Sequence, residues 1–79
     1  MRINRILFGT KNDKPVVRFE GNETKEYLLI NGFNVFKVNE ILNSLDSDLD
    51  INFKNFKQYY NLLKNISNKL GIKFEILYN

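Results

Sequence analysis

The chain has 79 residues, of which 12 are Lys or Arg and 9 are Asp or Glu, so its formal net charge is +3. Cysteine and histidine are both absent, which excludes disulfides, the ordinary zinc sites and histidine acid–base chemistry. This length predicts one small domain, residues 1–79, whose stability must come from an apolar core. Seven Phe and four Tyr supply much of that core. The lack of cysteine and of any long apolar run predicts a cytoplasmic protein.

Three short strands are predicted in the first 30 residues. The strands are predicted over residues 2–8, 16–20 and 25–30. In the second, Val17 and Phe19 fall on one face and Arg18 on the other, as in a half-buried strand. Turn-forming residues occupy 9–15 and 21–24 between the strands. The short turns predict that the three strands form an antiparallel meander.

The Asn31-Gly32 dipeptide leaves two interpretations of the next segment. Asn-Gly between apolar runs is a strong hairpin signal, which would make residues 33–38 a fourth strand. The other interpretation is a helix that begins near Val35 with Asn34 as its N-cap. Apolar residues recur at helical spacing in this segment, namely Val35, Val38, Leu42 and Leu45. We favour the helix, and in both interpretations residues 39–45 are helical.

The clearest pattern in the chain is a helix over residues 53–70. Gly71 follows at the position where many helices end in a left-handed residue, and residues 72–78 then alternate as a strand. Tyr59 and Ser67 fall on the apolar side of the helix, so we expect both in the core. The spacings of three and four that define the apolar side belong to Phe53, Phe56, Tyr60, Leu63, Ile66 and Leu70.

These elements predict an α+β fold with the order βββααβ. We expect a four-stranded antiparallel sheet in which the last strand lies beside the first. We expect the two helices to run antiparallel and to cover one face of the sheet, because each has a single apolar stripe to bury.

Charge is segregated along the sequence. Residues 1–19 carry a net +4, residues 20–50 a net −5 and residues 51–79 a net +4. The acidic stretch Asp46, Asp48 and Asp50 begins like a calcium-binding loop but lacks that loop's glycine and final glutamate. One interpretation is that these carboxylates favour the N-terminus of the following helix. The functional alternative is an acidic patch that binds a basic protein partner.

A second candidate surface is the polar side of the predicted helix 53–70. Lysine and asparagine both contact phosphates, so this side is a candidate nucleic-acid surface. The helix has no arginine, the usual partner of guanine edges, so such contacts would be to the backbone. A merely solvated face is the alternative, because abundant Asn, Lys and Ile without Ala indicate an AT-rich source genome. The residues concerned are Lys54, Lys57, Asn61, Lys64 and Asn68.

No catalytic, cofactor-binding or metal-binding motif is recognisable. Ser44, Ser47, Thr10 and Thr24 have no evident base beside them in the sequence, and a hydroxyl nucleophile needs one. We therefore expect a protein that is not an enzyme and that uses neither a cofactor nor a metal.

The profile of the whole chain resembles the small phage-encoded inhibitors of bacterial defence, among them anti-CRISPR proteins. The shared features are a length under a hundred residues, an AT-rich origin and the lack of catalytic groups, and no motif contributes. The resemblance implies stoichiometric binding to a host nuclease complex, such as a CRISPR nuclease. It also implies that Asp46, Asp48 and Asp50 mimic phosphates in a basic groove. The alternative function is a small nucleic-acid-binding protein that acts through helix 53–70.

Overall fold

The computed structural model describes residues 2–46 and 56–77, the side chains of Phe56 and Lys57 excepted. The described residues form a four-stranded sheet and two helices, which confirms the predicted α+β class. The elements in chain order are β1 (Ile3–Lys11), β2 (Lys14–Gly21), β3 (Thr24–Leu28), α1 (Gly32–Leu45), α2 (Phe56–Leu70) and β4 (Lys73–Leu77). Neither helix is long and apolar enough, within its described residues, to cross a membrane.

The sheet is mixed, so the prediction of a purely antiparallel sheet was wrong. Its strand order is β3-β2-β1-β4. The β1–β2 and β2–β3 pairs are antiparallel, whereas β4 pairs with β1 in parallel. Through the register, the last residue of β3, Leu28, lies level with the last residue of β4, Leu77. The chain therefore leaves β3 at one end of the sheet and enters β4 at the other.

The helices explain this direction. The prediction assumed an antiparallel helix pair, which would return the chain to the end that it left. In the structure Asp46, the C-cap of α1, accepts a hydrogen bond from Lys69 Nζ in the last turn of α2 at 2.8 Å. The C-terminal ends of the two helices therefore meet, and α2 delivers the chain to the far end of the sheet.

Strand β1 is longer than predicted because the first turn is very short. Asn12 and Asp13 have φ values of 54° and 63°, and Lys11 pairs with Lys14 across them. Two consecutive positive φ values form the type I′ turn that matches the twist of a hairpin. Gly9, predicted to lie in the turn, is instead a strand residue paired with both Val16 and Leu77.

Helix α1 begins earlier than predicted. Asn31 has an extended backbone, with φ −143°, and its Oδ1 accepts a hydrogen bond from the N–H of Asn34 at 2.9 Å. This contact satisfies one of the free N–H groups of the first turn, so Asn31 is the N-cap in place of Asn34. The hairpin interpretation, with a strand over residues 33–38, was wrong. Asn34 instead donates through Nδ2 to the carbonyl of Leu28 at 2.8 Å, which ties the helix to the end of β3.

The predicted end of the second helix is confirmed. Gly71 has a φ of 69°, and the N–H of Ile72 donates to the carbonyl of Ser67 at 2.8 Å. This is the hydrogen bond of a Schellman motif, which closes a helix through a left-handed residue. Residues 53–55 of the predicted helix lie outside the described part of the chain.

One apolar cluster lies between the sheet and both helices. Tyr59 and Ser67 are buried at 6% and 1% exposure, as predicted. Leu70 was expected in the core but is 40% exposed, because it is the final residue of α2, where the chain turns away. The buried members of the cluster are Ile6, Phe8, Val17 and Phe19 from the sheet, Val38 and Leu42 from α1, and Tyr59, Leu63 and Ile66 from α2.

Candidate functional site

The acidic stretch is only partly within the described residues. Asp46 ends α1, and its backbone N–H donates to the carbonyl of Leu42 at 3.0 Å. Its carboxylate is only 8% exposed and pairs with Lys69. Asp46 therefore joins the ends of the two helices, and this carboxylate is not presented to a partner. Asp48 and Asp50 lie outside the described residues, so their role in partner binding stays a prediction.

The polar side of α2 is directed to solvent, as predicted. Asn61, Lys64 and Asn68 are exposed. Lys54 lies outside the described residues, as does the side chain of Lys57. The described part of this surface thus combines one lysine with amides, and its nucleic-acid role stays a prediction.

The sheet face away from the helices carries a network of ion pairs that we call the charge ladder. Side-chain ion pairs join cations and anions alternately across this face, so that each member attracts its neighbours. Arg5 lies 2.6 Å from Glu20 and 3.1 Å from Glu75, and Arg18 lies 3.4 Å from Glu20 and 3.1 Å from Glu26. Lys73 and Lys11 complete the two ends, at 3.4 Å from Glu75 and 3.3 Å from Glu26. The ladder consists of Lys73, Glu75, Arg5, Glu20, Arg18, Glu26 and Lys11.

These contacts change the acidity of three members. The hydrogen bond to Glu20 and the charges of Glu20 and Glu75 raise the pKa of Arg5 above its ordinary value. Burial alone would raise the pKa of Glu26, but hydrogen bonds from Arg18 and Lys11 outweigh burial and lower it. The pKa of Glu75 is lowered in the same way, with partial desolvation outweighed by Lys73 and Arg5.

The charges of the ladder are therefore already paired with one another. Each of its three carboxylates contacts two cations, so a charged partner would have to displace existing pairs. Single exposed ion pairs contribute little to stability, whereas a connected network contributes more.

Large apolar side chains are exposed on and just before α1. Phe33 is 69% exposed, Phe36 is 59% exposed and Ile30, just before the helix, is 52% exposed. We call these three residues the α1 patch. Phe33 and Phe36 are three residues apart and so lie on one side of the helix, opposite the buried Val38 and Leu42. A helix that is apolar on both sides is typical of one that is covered on both sides.

Two charged residues border the α1 patch. Lys37 Nζ lies 5.5 Å from the centre of the Phe33 ring, within the range of a cation–π contact. The same ammonium lies 3.7 Å from the carboxylate of Glu40, three residues further along the helix. The patch is thus an apolar surface bordered by one cation and one anion.

This patch was not predicted from the sequence. Val35, Val38 and Leu42 defined the predicted core side of α1, and Phe33 and Phe36 were left unassigned. Their positions could have indicated a surface role, because Val35, Val38 and Leu42 already form an apolar stripe on one side of the helix and Phe33 and Phe36 lie outside it. Two large aromatic residues on the opposite side indicate a second contact surface.

The chain was compared with models of protein families, with curated proteins and with solved structures, and it matches none of them significantly.

Proposed function

We propose that this chain is a small protein-binding module without enzymatic activity, which inhibits a host nuclease complex by stoichiometric binding. The single observation that supports this proposal most directly is the α1 patch. The chain's resemblance to phage-encoded inhibitors of the anti-CRISPR type supplies the class of partner. Such a target would place the protein in the cytoplasm of the host cell.

The size of the α1 patch is appropriate for the centre of an interface. A Phe side chain offers about 150–250 Å² of contact area, so the exposed fractions of Phe33 and Phe36, 69% and 59%, correspond to about 200–300 Å². This area approaches the lower limit of the contiguous apolar patches, about 300–600 Å², that are often functional on a monomer. The backbone of both residues is already ordered in a helix, so binding immobilises only their side chains.

A cleavage assay tests the proposal. Purified protein is titrated into DNA-cleavage reactions of purified CRISPR nuclease complexes. We expect cleavage by the target complex to fall linearly and to stop at about one protein per complex. Phe36→Ala should weaken inhibition at least about tenfold, as expected for an aromatic residue at the centre of an interface. The control Lys64→Ala, an exposed change on α2, should inhibit like the unchanged protein.

Full cleavage by every complex at a large excess of the protein would contradict an inhibitory function. Equal inhibition by Phe36→Ala and the unchanged protein would instead show that another surface binds. The acidic stretch gives a second readout, because reversal of Asp48 and Asp50 should mainly slow association if these charges steer the encounter.

The nucleic-acid alternative predicts a different result. If the polar side of α2 binds phosphates, affinity for duplex DNA should fall steeply with salt. Neutralising Lys54, Lys57 and Lys64 should then reduce the salt slope by about three. Under the proposed function, DNA binding at physiological salt is weak and insensitive to these changes. Sub-micromolar DNA binding that the triple change abolishes would favour the alternative.

A further inference from the structure

We propose that the free protein forms a two-fold symmetric dimer in which α1 packs antiparallel against α1 of a second copy. Phe36 of the α1 patch provides the apolar contact of this dimer, and Lys37 and Glu40 provide its polar contacts. This inference does not rest on the proposed function, because it concerns the protein without any other partner.

The exposed side of α1 forms a continuous stripe. Phe33, Phe36, Glu40 and Asn43 are exposed, and the side chain of Lys37 is 43% exposed. These positions follow the spacing of three and four residues that forms one side of a helix. The exposed residues therefore form a stripe along the helix and not an isolated side chain, and the stripe is long enough for another helix to lie along it.

The charges on this stripe are self-complementary. Lys37 and Glu40 are the only charged residues of α1, and they have opposite signs. A two-fold axis midway between them brings Lys37 of each copy beside Glu40 of the other, so both cations meet anions. A symmetric contact of this kind uses the same patch on both copies. It avoids like-charge repulsion at the interface, although the whole chain has a net charge of +3.

The same axis also brings apolar residues together. With a rise of 1.5 Å per residue, Phe36 of the two copies would be offset by only about 7–8 Å along the helices. Both Phe36 rings lie on the same side of the helix pair, so each can contact the other, and Phe36 is 59% exposed in the monomer. The two Phe36 rings thus leave water in a single contact.

The area involved indicates a weak dimer. A stable interface buries roughly 800 Å² per partner, and the α1 patch supplies less than half of this. We therefore expect a dimer that dissociates on dilution. If the protein also acts as proposed above, the nuclease complex and the second copy compete for the α1 patch, so dimer and inhibitory complex exclude each other.

Sedimentation equilibrium of the whole chain, without nuclease, tests the dimer separately from the function. The average mass should rise from monomer towards dimer between about 5 and about 500 µM protein. Phe36→Asp should stay folded, because Phe36 is exposed and its replacement leaves the core intact. It should stay monomeric over this range, because the change puts a charge in the apolar contact between the two copies. Lys64→Glu, which changes an exposed residue on α2, should dimerise like the unchanged protein.

Charge reversal tests the symmetric arrangement. Lys37→Glu and Glu40→Lys should each prevent dimerisation, since each places four like charges around the axis. An equimolar mixture of these two variants should form a heterodimer, because one stripe is then wholly acidic and the other wholly basic. An unchanged protein that is monomeric at every concentration would overturn the proposal and leave the patch to another protein. A dimer that persists in Phe36→Asp, or a mixture that stays monomeric, would also overturn it.

Discussion

Replacing Gly9 with alanine should detach the end of β4 from β1 and destabilise the fold by about 2–3.5 kcal/mol. A Cβ built on Gly9 would lie 1.7 Å from the carbonyl oxygen of Leu77. Real Cβ atoms essentially never approach closer than 3.0 Å, so the backbone of β4 must retreat by at least 1.3 Å. A hydrogen bond of about 2.9 Å lengthened by that amount is no longer a hydrogen bond.

The magnitude follows from the contacts that are lost. About two ladder hydrogen bonds at roughly 1 kcal/mol each and a strain of about 1–2 kcal/mol from overpacking favour unfolding. Alanine offsets about 0.5–1 kcal/mol of this, since it loses less backbone freedom than glycine on folding. At about 0.05–0.15 kcal/mol per residue, a chain of 79 residues has a free energy of unfolding of about 4–12 kcal/mol. The change therefore removes a large fraction of the stability.

Urea unfolding and amide hydrogen exchange measure the two expected effects. The midpoint for Gly9→Ala should fall, and the amides of Ile76 and Leu77 should lose protection first. Gly32→Ala is the matched control, because a Cβ on Gly32 meets no atom within 4 Å. An unchanged midpoint for Gly9→Ala, with Leu77 still protected, would refute the parallel pairing of β4 with β1.

Four further changes test the core and the charge ladder. Leu63→Ala, at a fully buried position, should cost about 2–5 kcal/mol, and a thermal melt close to the unchanged one would show that the core side of α2 is wrongly assigned. Ser67→Ala should stabilise by about 1–2 kcal/mol in urea unfolding, because the hydroxyl is buried and finds no hydrogen-bond partner among the described residues. Since folding lowers the pKa of Glu26 and Glu75 from their ordinary 4.5, their contribution is present above that pH and is lost as the pH falls below it. The double change to Gln should therefore reduce the acid dependence of the melting temperature, and an unaltered dependence would contradict the ladder. Burial raises the pKa of Tyr59 from 10.0 to about 12, so stability should be lost as the pH rises through this interval, and Tyr59→Phe should lose less than the unchanged protein.

Local sequence patterns were sufficient to predict the elements in which neighbouring residues all favour the same structure. The period of the helix over residues 53–70, the glycine that ends it and the alternation after Gly71 each depend on residues only a few positions apart. The structure has all three features within its described residues. The burial of Tyr59 and Leu63 follows from the same period. These features are local, so they can be predicted from neighbouring residues without reference to the rest of the chain.

The boundaries were harder because two local rules competed. Asn31 is equally suited to a hairpin turn and to a helix N-cap, and Gly32 follows it in either case. Contact with the end of β3, through Asn34 and the carbonyl of Leu28, is a tertiary interaction that favours the helix. Gly9 was wrongly predicted to lie in a turn for a similar reason. Glycine is required there because a Cβ would clash with the carbonyl oxygen of Leu77, which is 68 residues away in the sequence.

Only the tertiary structure decided the direction of β4, the use of Asp46 and the exposure of the α1 patch. The sequence shows that residues 72–78 form a strand, but a parallel and an antiparallel partner both accept the same alternation. Asp46 looks like part of an acidic surface until Lys69 is found at 2.8 Å. Phe33 and Phe36 were assigned to no side of α1 from the sequence, and the structure places Val38 and Leu42 on the side that faces the sheet. In each case the outcome depends on which distant element packs against the residue, because burial and pairing are properties of the assembled layers and periodicity is a property of the local chain.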